Sequence, residues 1–450
     1  MGDYGKLPIA LTVAGMDSSG GAGVIADLKT FSALGVYGSC VIAALTAQNT
    51  SDVKAIHVTP PSFVKKQLQT LLMDIEVKAA KTGMLHSGET VKTVANIVKD
   101  RDIRIVVDPV LISSSGTPLT TGDVVAQYTQ DLLPVATLVT PNVPEAQKLS
   151  GVRIRSLDDI EEAARRIHSL GVQTVVIKGG HIEGSVVKDL LFHEGKFTVY
   201  EKPRVKARSH GGGCVFSAAI TGYLAKGLSI RKAVEGAEQL IQEAINFSLK
   251  VGKGREPVNP MVELYNMAAE YRVADDVASA LKIVKADAHF LSYIAEVGTQ
   301  IAMALPYPTS PDHIAAVENR IRCRGSKYLT TGAVKFGVSS HMARLILSCL
   351  CLNPEVRAAM NLHYDPALVQ AFKDAGFSVG SFDRRNEPET VKRTEGASMG
   401  WGVREVAKNS GALPEVIYDL GEADKEPMIR VVGRSASEVA RKVIAALDQL

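Results

Sequence analysis

The sequence has little of what marks secreted, membrane-bound or nucleic-acid-binding proteins. Its 450 residues include five cysteines with no Cys-x-x-Cys spacing, which argues against a disulfide framework or a zinc site and favours a reducing cytoplasm. The apolar runs are shorter than a membrane span, and the N-terminal one lacks the features of a signal peptide. A net charge of +3 provides no basic field, so we expect neither nucleic acid nor membrane as a partner.

What is present is the composition of a globular chain with more than one core. The hydrophobic content is 46%, and the length predicts two or three domains. Residues 1 to about 250 alternate short β-branched runs with helical patterns, which predicts a mostly parallel sheet flanked by helices and ligands at the carboxyl ends of its strands. The predicted strands are IALTVAG, CVIAAL, RIVVDP, TLVTPN and TVVIKGG, and the predicted helices include 22–34 and 231–248.

A second, smaller α/β domain is predicted in the C-terminal part of the chain. The segment VGKGREPVNP concentrates glycine, proline and charge, so we expect the first domain to span 1–262. Residues 263–285 are predicted to form a helical connector, and 286–450 to form the second domain. There the predicted helices are 311–320, 339–351 and 397–409, and the predicted strands are FSVGSF, EVIYDL and MIRVVG.

Three consecutive glycines stand before Cys214 at the start of a predicted helix. Gly211, Gly212 and Gly213 can aim successive N–H groups into one concavity, and the helix dipole adds positive potential, so the segment predicts an anion hole. The same position is expected to lower the pKa of the thiol, which would make Cys214 a base or another polar contact. The alternative is a glycine-rich helix start followed by a small core cysteine.

Further candidate groups follow other predicted strands. The loop AGMDSSGGAG at 14–23 matches neither the dinucleotide-binding fingerprint nor the phosphate-binding loop of P-loop proteins. Asp108 and Glu145 offer carboxylates for Mg²⁺, and Lys178 offers a cation for phosphates. Each of these three side chains could also be an ordinary loop charge.

The order and spacing of these motifs resemble a known family. Residues 8 to about 260 resemble the hydroxymethylpyrimidine and hydroxymethylpyrimidine-phosphate kinases of thiamine biosynthesis, which belong to the ribokinase-like superfamily. The resemblance implies ATP-dependent phosphorylation of 4-amino-5-hydroxymethyl-2-methylpyrimidine and then of its monophosphate. It rests on ALTVAGMDSSGGAGVIADLKTFSALGVYGSCVIAALTAQNT, KTGML, VVDPVLISSSG, TPNVPEA, IKGGH, HGGGCVFSAAI and VGKGREPVNP.

The resemblance also implies roles for individual residues. Asp27, Gln48 and Met84 correspond to the pyrimidine pocket, and Cys214 corresponds to the residue proposed to activate the hydroxymethyl group. The remaining assignments are Asp108 and Glu145 on the magnesium and phosphate side and Lys178, with Asp108, on the ATP side.

Two positions depart from the family pattern. Gly212 stands where the family usually has threonine, so a hydroxyl is missing near the anion hole, although the backbone donors are retained. Met16 replaces a small polar residue, which is expected to alter the shape of the pocket. Neither change removes a charge that phosphoryl transfer needs.

Four segments of the second domain suggest a ligand with several phosphates. Each could be structural alone, but together they offer clustered arginines and two helix starts suited to anions. The segments are ENRIRCRGSKY, GVSSHMARLI, FDRRNEPE and EGASMGWGV.

Residues from about 275 to 450 resemble the archaeal-type thiamine-phosphate synthase domain. The resemblance implies that hydroxymethylpyrimidine diphosphate is joined to 4-methyl-5-(2-phosphoethyl)thiazole with release of pyrophosphate. We expect Arg320 to contact the diphosphate and His341 to be a phosphate contact or an acid for the leaving group; the alternative for His341 is a helix cap. The residues expected to hold the other phosphate are Arg384, Arg385, Ser398 and Gly400.

The leading hypothesis is therefore a bifunctional cytoplasmic enzyme that uses ATP and Mg²⁺. The alternative is an active kinase whose C-terminal domain senses thiamine phosphate without catalysis. The expected partners are small-molecule substrates, and a homodimer is expected by analogy with other kinases of this fold.

Overall fold

The computed structural model describes residues 7–112, 117–122, 124–205, 209–324, 327–330, 332–422 and 425–450. Residues 113–116 of the VVDPVLISSSG motif and residues 325–326 of ENRIRCRGSKY lie outside the described residues. The chain divides into two units, Met1–Leu264 and Tyr265–Leu450. None of the helices in the described ranges is both long enough and apolar enough to cross a bilayer.

A nine-stranded sheet forms the centre of the first unit, in the order β3-β2-β1-β4-β5-β6-β7-β8-β9. Six neighbouring strands in the middle of the sheet, β2, β1, β4, β5, β6 and β7, are parallel to one another. Strands β3, β8 and β9 pair antiparallel at the edges, so the prediction of a mostly parallel sheet is confirmed. The strands are β1 (Ile9–Asp17), β2 (Tyr37–Gln48), β3 (Val53–Val58), β4 (Ala79–Thr82), β5 (Arg104–Val107), β6 (Leu138–Val139), β7 (Thr174–Ile177), β8 (Val186–His193) and β9 (Lys196–Pro203), and a separate pair consists of β10 (Ser209–His210) and β11 (Glu256–Pro257).

Helices cover both faces of this sheet because its strands are apolar on both sides. Leu11 and Val13 of β1 face one core, and Ala10, which precedes Leu11, faces the other. Helices α2, α3, α5 and α6 pack on the first face, and α1, α7 and α8 on the second. The helices are α1 (Gly23–Ala33), α2 (Pro61–Asp74), α3 (Gly88–Val98), α4 (Val124–Gln127), α5 (Val143–Ser150), α6 (Leu157–Ser169), α7 (Gly212–Ala225) and α8 (Ile230–Asn246), with a π-helical turn at Tyr128–Leu132.

One helix, α9 (Val262–Ala286), occupies the segment predicted to connect the two domains. Its buried side chains at four-residue and three-residue spacing belong to the core of the second unit. These side chains are Ala269, Val273, Val277, Ala280 and Val284. The helix is therefore part of the second unit's core over most of its length.

The second unit contains a seven-stranded sheet in the order β16-β13-β12-β17-β20-β19-β18. All neighbouring strands are antiparallel except β18 and β19. The strands are β12 (Ile301–Ala304), β13 (Ile314–Val317), β14 (Arg322–Arg324), β15 (Lys327–Thr330), β16 (Val334–Phe336), β17 (Ala358–His363), β18 (Val379–Ser381), β19 (Val416–Asp419) and β20 (Met428–Gly433), of which β14 and β15 form a separate pair. The helices are α10 (Ser340–Leu350), α11 (Pro366–Asp374), α12 (Glu389–Lys392), α13 (Ala397–Ser410) and α14 (Ala436–Leu447).

The helix predicted over 311–320 is wrong. A 3₁₀ turn at Pro311–His313 leads into β13, whose four residues are all buried. This strand pairs with β12 on one side and β16 on the other, so neighbours distant in sequence decide the conformation of a short apolar run.

Candidate functional site

A cavity of about 770 Å³ lies at the carboxyl ends of the parallel strands of the first unit. Its wall includes the end of β1 and the residues that follow β4, β5 and β7, which is where ligands bind in sheets of this kind. Nine of the ten site residues predicted in this unit line the cavity together: Gln48, Met84, Asp108, Glu145, Lys178, Gly211, Gly212, Gly213 and Cys214. Met16 lines it as well.

The two glycine loops of the first unit meet at this cavity. Gly211 precedes α7 with a φ of 83°, and no side chain of the described residues caps the helix there. A Cβ at Gly211 would lie 1.8 Å from the carbonyl oxygen of Gly21, so only glycine permits this approach. The first-turn N–H groups of α7 are consequently left for an anion in the cavity.

The neighbouring glycines at the start of α7 give a matched test of this geometry. A Cβ at Gly212 would meet only Ile241 Cδ1, at 3.7 Å, whereas a Cβ at Gly213 would lie 3.2 Å from Lys178 Nζ. We expect Gly212→Ala to keep the phosphoryl-transfer activity that the sequence resemblance implies and to raise the free energy of unfolding by about 0.4–1 kcal/mol, because alanine restricts the unfolded chain. We expect Gly213→Ala to lower kcat roughly tenfold to a hundredfold by displacing Lys178.

Steady-state kinetics and urea unfolding of both variants check this pair. Equal activity losses in the two variants would contradict the assigned geometry. Gly212→Thr, which introduces the residue usual in the family, should fit the same space and is expected to retain or raise kcat.

Asp108 and Lys178 form a buried ion pair beside the anion hole. Lys178 Nζ lies 3.0 Å from Asp108 Oδ1, and Ser217 Oγ donates to Asp108 Oδ2 at 3.3 Å. Burial would raise the pKa of Asp108, but the charges of Lys178 and Lys81 outweigh it and hold that pKa below its usual value. Asp108 is therefore ionised at neutral pH.

Glu145 is the second carboxylate of this wall. It belongs to the capping box of α5, where its Oε2 accepts the N–H of Asn142 at 2.9 Å. Burial, and to a lesser degree the negative charge of Asp108, raises the pKa of Glu145 to about 7, although Lys178 opposes the shift. Two carboxyl groups that repel each other in this way create a place where added positive charge is favourable.

Asp27 differs from the other predicted site residues because it is not among the described residues that line the cavity. It is fully buried, its Oδ1 lies 2.7 Å from Lys81 Nζ, and its Oδ2 accepts the hydroxyl of Thr12 at 2.6 Å. Lys81 is also fully buried. The geometry makes Asp27 the partner of Lys81. Sequence reasoning missed this ion pair, although a lysine in the buried run AAKTG needs a counter-charge.

The thiol of Cys214 does not have the lowered pKa expected at a helix N-terminus. Burial raises the pKa of Cys214 to about 11, and the negative charges of Asp27 and Asp108 raise it further. The positive charge of Lys81 and the hydrogen bond from the Gly23 N–H lower it, but by less. The thiol is therefore protonated at neutral pH. This corrects the sequence-based expectation, because burial raises the pKa of the thiol more than Lys81 and the Gly23 N–H lower it.

Alkylation by iodoacetamide checks the protonation state of Cys214. We expect Cys214 to react slowly at pH 7 and faster as the pH approaches 11, because the thiolate is the nucleophile. The exposed Cys351 is the internal control, and mass spectrometry of tryptic peptides follows both sites. Labelling of Cys214 at pH 7 as fast as that of Cys351 would contradict the raised pKa.

His341, in the first turn of α10, is the centre of the charged cluster in the second unit. Its Nε2 finds no hydrogen-bond partner among the described residues. Burial lowers the pKa of His341 to about 4, and the surrounding guanidinium groups add to the shift. In order of effect these groups belong to Arg430, Arg320, Arg344 and Arg384.

The two predicted arginines of the RRN segment have different surroundings. Arg384 is buried and binds Asp419 with Nε at 2.5 Å and Nη2 at 3.2 Å, and Asp419 also accepts from Arg430 Nη1 at 2.6 Å. Arg385 is exposed and binds Asp383. The structure thus brings Arg320, His341 and Arg384 together, and it leaves Arg385 on the surface.

The predicted phosphate site around Ser398 and Gly400 lies at the start of α13. Gly396 precedes this helix with a φ of 80° and no side-chain cap among the described residues. A Cβ at Gly396 would lie 2.3 Å from Arg344 Nη1, so glycine lets this guanidinium reach the helix N-terminus. Sequence reasoning missed Arg344, which lies one helical turn after His341, and Arg430, a lone charge in the apolar run MIRVVG.

Comparison with known proteins identifies both units. The phosphomethylpyrimidine kinase family model matches residues 17–259, more than half of the chain. The chain belongs to this family. The model of the thiamine-phosphate synthase ThiN matches residues 276–445. A bifunctional thiamine biosynthesis protein ThiDN from Methanocaldococcus jannaschii is 30% identical over 97% of each chain, so this chain combines a kinase unit with a synthase unit of thiamine biosynthesis.

Other relatives match the kinase unit alone. The thiamine biosynthesis bifunctional protein ThiED of Geobacter sulfurreducens is 45% identical over 55% of this chain, which spans about half (51%) of that protein. The pyridoxal kinase of Staphylococcus aureus in complex with ADP is 35% identical, with a TM-score of 0.54, over 57% of this chain and 94% of its own. The ADP complex of the Bacillus subtilis pyridoxal kinase is 34% identical, with a TM-score of 0.52, over 56% and 97%. These structures confirm the ribokinase-like α/β fold of the kinase unit, and their ADP supports ATP as a substrate.

Proposed function

We propose that the kinase unit transfers phosphoryl groups from ATP to 4-amino-5-hydroxymethyl-2-methylpyrimidine and then to its monophosphate. The synthase unit then joins the diphosphate to 4-methyl-5-(2-phosphoethyl)thiazole. The observation that carries the kinase proposal is the uncapped start of α7 in one cavity with Lys178 and Asp108. The order of the two matched families on one chain supports the sequence of steps.

In the kinase unit, backbone amides and one lysine stabilise the negative charge of the transferred phosphoryl group. The amides of Gly212 to Cys214 hold the transferred phosphoryl group, and Lys178 approaches it because Gly213 has no side chain. Phosphoryl transfer passes through a loose transition state, so orienting the attacking hydroxyl matters more than removing its proton early. Cys214, as a neutral thiol, orients the hydroxymethyl group, and the ionised Asp108 accepts its proton.

Asp108 and Glu145 are the residues that would hold Mg²⁺. Their charges oppose each other on the cavity wall, and a cation relieves that repulsion. The described residues contain no cluster of three or more His, Cys, Asp or Glu side chains suited to a metal, which fits an ion that keeps several waters and takes phosphate oxygens. When bound, Mg²⁺ supplies positive charge to the nucleotide phosphates.

In the synthase unit, the positive cluster around His341 binds the two anionic substrates. Arg320 contacts the diphosphate, and Arg344 with the first-turn amides of α13 near Ser398 and Gly400 contacts the other phosphate. Arg384 is held by Asp419 and directs its charge into the same cluster. A bound polyanion offsets the arginine charges, which add to the effect of burial on the pKa of His341, so substrate binding raises this pKa and favours a proton on His341 for the leaving group.

One coupled assay tests the whole proposal. Full-length protein incubated with ATP, Mg²⁺, the pyrimidine alcohol and the thiazole phosphate should yield thiamine phosphate, detected by mass spectrometry. Absence of product contradicts the pairing of activities. A second reaction with preformed pyrimidine diphosphate and thiazole phosphate separates the alternatives, because turnover means synthase and binding of thiamine phosphate without turnover means a sensor.

A further inference from the structure

Three buried ionisable side chains lie beside the loop that follows β7, and the proposed reaction does not use them directly. Asp189 belongs to β8, Lys202 to β9 and Glu238 to α8. Lys202 Nζ lies 2.7 Å from Asp189 Oδ2 and also binds the carboxylate of Glu238. Buried charges are costly, so the contacts of this cluster indicate what it does in the protein.

The other oxygen of Asp189 binds the backbone next to Lys178. Asp189 Oδ1 accepts the N–H of Gly179 at 2.7 Å. A Cβ at Gly179 would lie 2.0 Å from the carbonyl oxygen of Lys188, so glycine lets the chain contact β8 at this point. On the other side, the N–H of Lys178 donates to the Pro141 carbonyl at 2.9 Å. The backbone of Lys178 is therefore held from both sides, and Asp189 holds it on the C-terminal side.

Only a carboxylate can satisfy both partners of Asp189, because both partners are donors. The Gly179 amide donates to Oδ1, and the Lys202 ammonium group donates to Oδ2. Burial would lower the pKa of Lys202, but the negative charges of Asp189 and Glu238 outweigh it and raise that pKa, so Lys202 is charged at neutral pH. Although Asp189 lines the cavity, each of its oxygens is thus bound by the protein itself.

We propose that Asp189 is a positioning residue that fixes Lys178 for phosphoryl transfer through the N–H of Gly179. The ammonium group of Lys178 has little freedom, since it lies 3.0 Å from Asp108 Oδ1 and 3.2 Å from the position that a Cβ of Gly213 would take. A displacement of about 1 Å in such a site can lower the rate of transfer about a hundredfold. The inference deepens the proposed kinase function and rests on it.

Asp189→Leu and Asp189→Asn test this role in the full-length chain. Leucine has a similar size but no acceptor, so the N–H of Gly179 loses its partner while Lys202 keeps Glu238. We expect Asp189→Leu to lower kcat of the kinase reaction roughly tenfold to a hundredfold, with the KM for the pyrimidine alcohol changing less than about twofold. Asparagine keeps one acceptor oxygen for the two donors and should lower kcat about threefold to tenfold. An unchanged kcat in both variants overturns the inference.

Glu201→Gln is the matched control on the same pair of strands. Glu201 of β9 pairs with Lys188 of β8 at 2.8 Å, but both side chains are about half exposed, so kcat should stay within about twofold of wild type. Hydrogen exchange followed by mass spectrometry should show faster exchange of the Gly179 amide in both Asp189 variants and not in Glu201→Gln. Urea unfolding reports whether each variant is folded, and Asp189→Asn decides the inference if Asp189→Leu is not.

A double-mutant cycle separates positioning from a general loss of structure. If Asp189 acts through Lys178, its substitution should matter little once the ammonium group is gone. Asp189→Asn should therefore change kcat by less than about twofold in a Lys178→Ala chain. An equal loss of kcat with and without Lys178 overturns the inference, because Asp189 would then act independently of that side chain.

The inference and the proposed function fail in different ways. If the wild type phosphorylates the pyrimidine alcohol, the cycle decides the inference alone, and a Lys178→Ala chain with the full kcat overturns it. A wild type that phosphorylates no pyrimidine alcohol contradicts the proposed function. In that case hydrogen exchange decides whether Asp189 holds the loop: faster exchange of Gly179 in the Asp189 variants supports the inference, and unchanged exchange overturns it.

Discussion

Asp108→Asn should lower kcat of the kinase reaction about a thousandfold, because one substitution removes both an acceptor for the hydroxyl proton and a charge that holds Lys178. The asparagine keeps the shape of the side chain and one acceptor oxygen, so either Thr140, which donates to Oδ1, or Ser217, which donates to Oδ2, can still donate to it. The cavity should therefore remain intact while its charge balance changes. Single-turnover and steady-state kinetics with the pyrimidine alcohol measure the loss.

A surface aspartate provides the matched control for this prediction. Asp102→Asn removes the same charge at an exposed turn before β5 and should change kcat by less than twofold. The Asp108→Asn chain should still make thiamine phosphate from preformed pyrimidine diphosphate and thiazole phosphate, because that reaction belongs to the other unit. A loss of both reactions would indicate misfolding, and a kcat within tenfold of wild type would show that Asp108 is not needed for transfer.

The cavity of the kinase unit could be predicted largely because its positions are encoded locally. The strands that precede Asp108 and Lys178 are short β-branched runs, RIVV and TVVI, so both side chains could be predicted to lie at the same edge of the sheet. The close approach of Gly211 to Gly21 is also indicated in the sequence by the three consecutive glycines.

The interpretations that failed depend on partners distant in sequence. We expected a lowered pKa for Cys214 because the sequence does not show its burial or the neighbouring charges of Asp27 and Asp108, which raise this pKa in the folded chain. The ion pair between Asp27 and Lys81, which is 54 residues away, could not be predicted from the sequence, and the role of Asp27 in the pyrimidine pocket stays a prediction. The same holds for β13, which is a strand because two other strands flank it.

Asp419→Asn should destabilise the synthase unit by about 3–5 kcal/mol, because it leaves two buried guanidinium groups without their shared carboxylate. Asp419 is fully buried and accepts from Arg384, Arg430 and the N–H of Gly421. The only tryptophan of the chain, Trp401, reports this unit selectively in urea unfolding. Its ring lies 5.8 Å from that of Phe382, which is itself within 5.4 Å of the Arg384 guanidinium.

Glu318→Gln is the control for the buried cluster. Glu318 pairs with Lys335 at 2.8 Å, but both side chains are substantially exposed, so this change should cost less than about 1 kcal/mol. Kinase activity should survive in both variants. If tryptophan fluorescence gave the same urea midpoint for Asp419→Asn and wild type, the ion pairs of Asp419 with Arg384 and Arg430 would contribute little to stability.

The pH dependence of the same comparison identifies the interaction as electrostatic. Burial would raise the pKa of Asp419, but the charges and hydrogen bonds of Arg430 and Arg384 outweigh it and lower the pKa. A carboxyl group whose pKa is lowered by folding stabilises the native state above its unfolded pKa of about 3.9 and loses this contribution as the pH falls through the folded value. The difference in urea midpoint between wild type and Asp419→Asn should therefore be largest near neutral pH and shrink below roughly pH 4. A difference that stayed constant down to pH 3 would assign the effect to packing, because the shape of the side chain does not titrate.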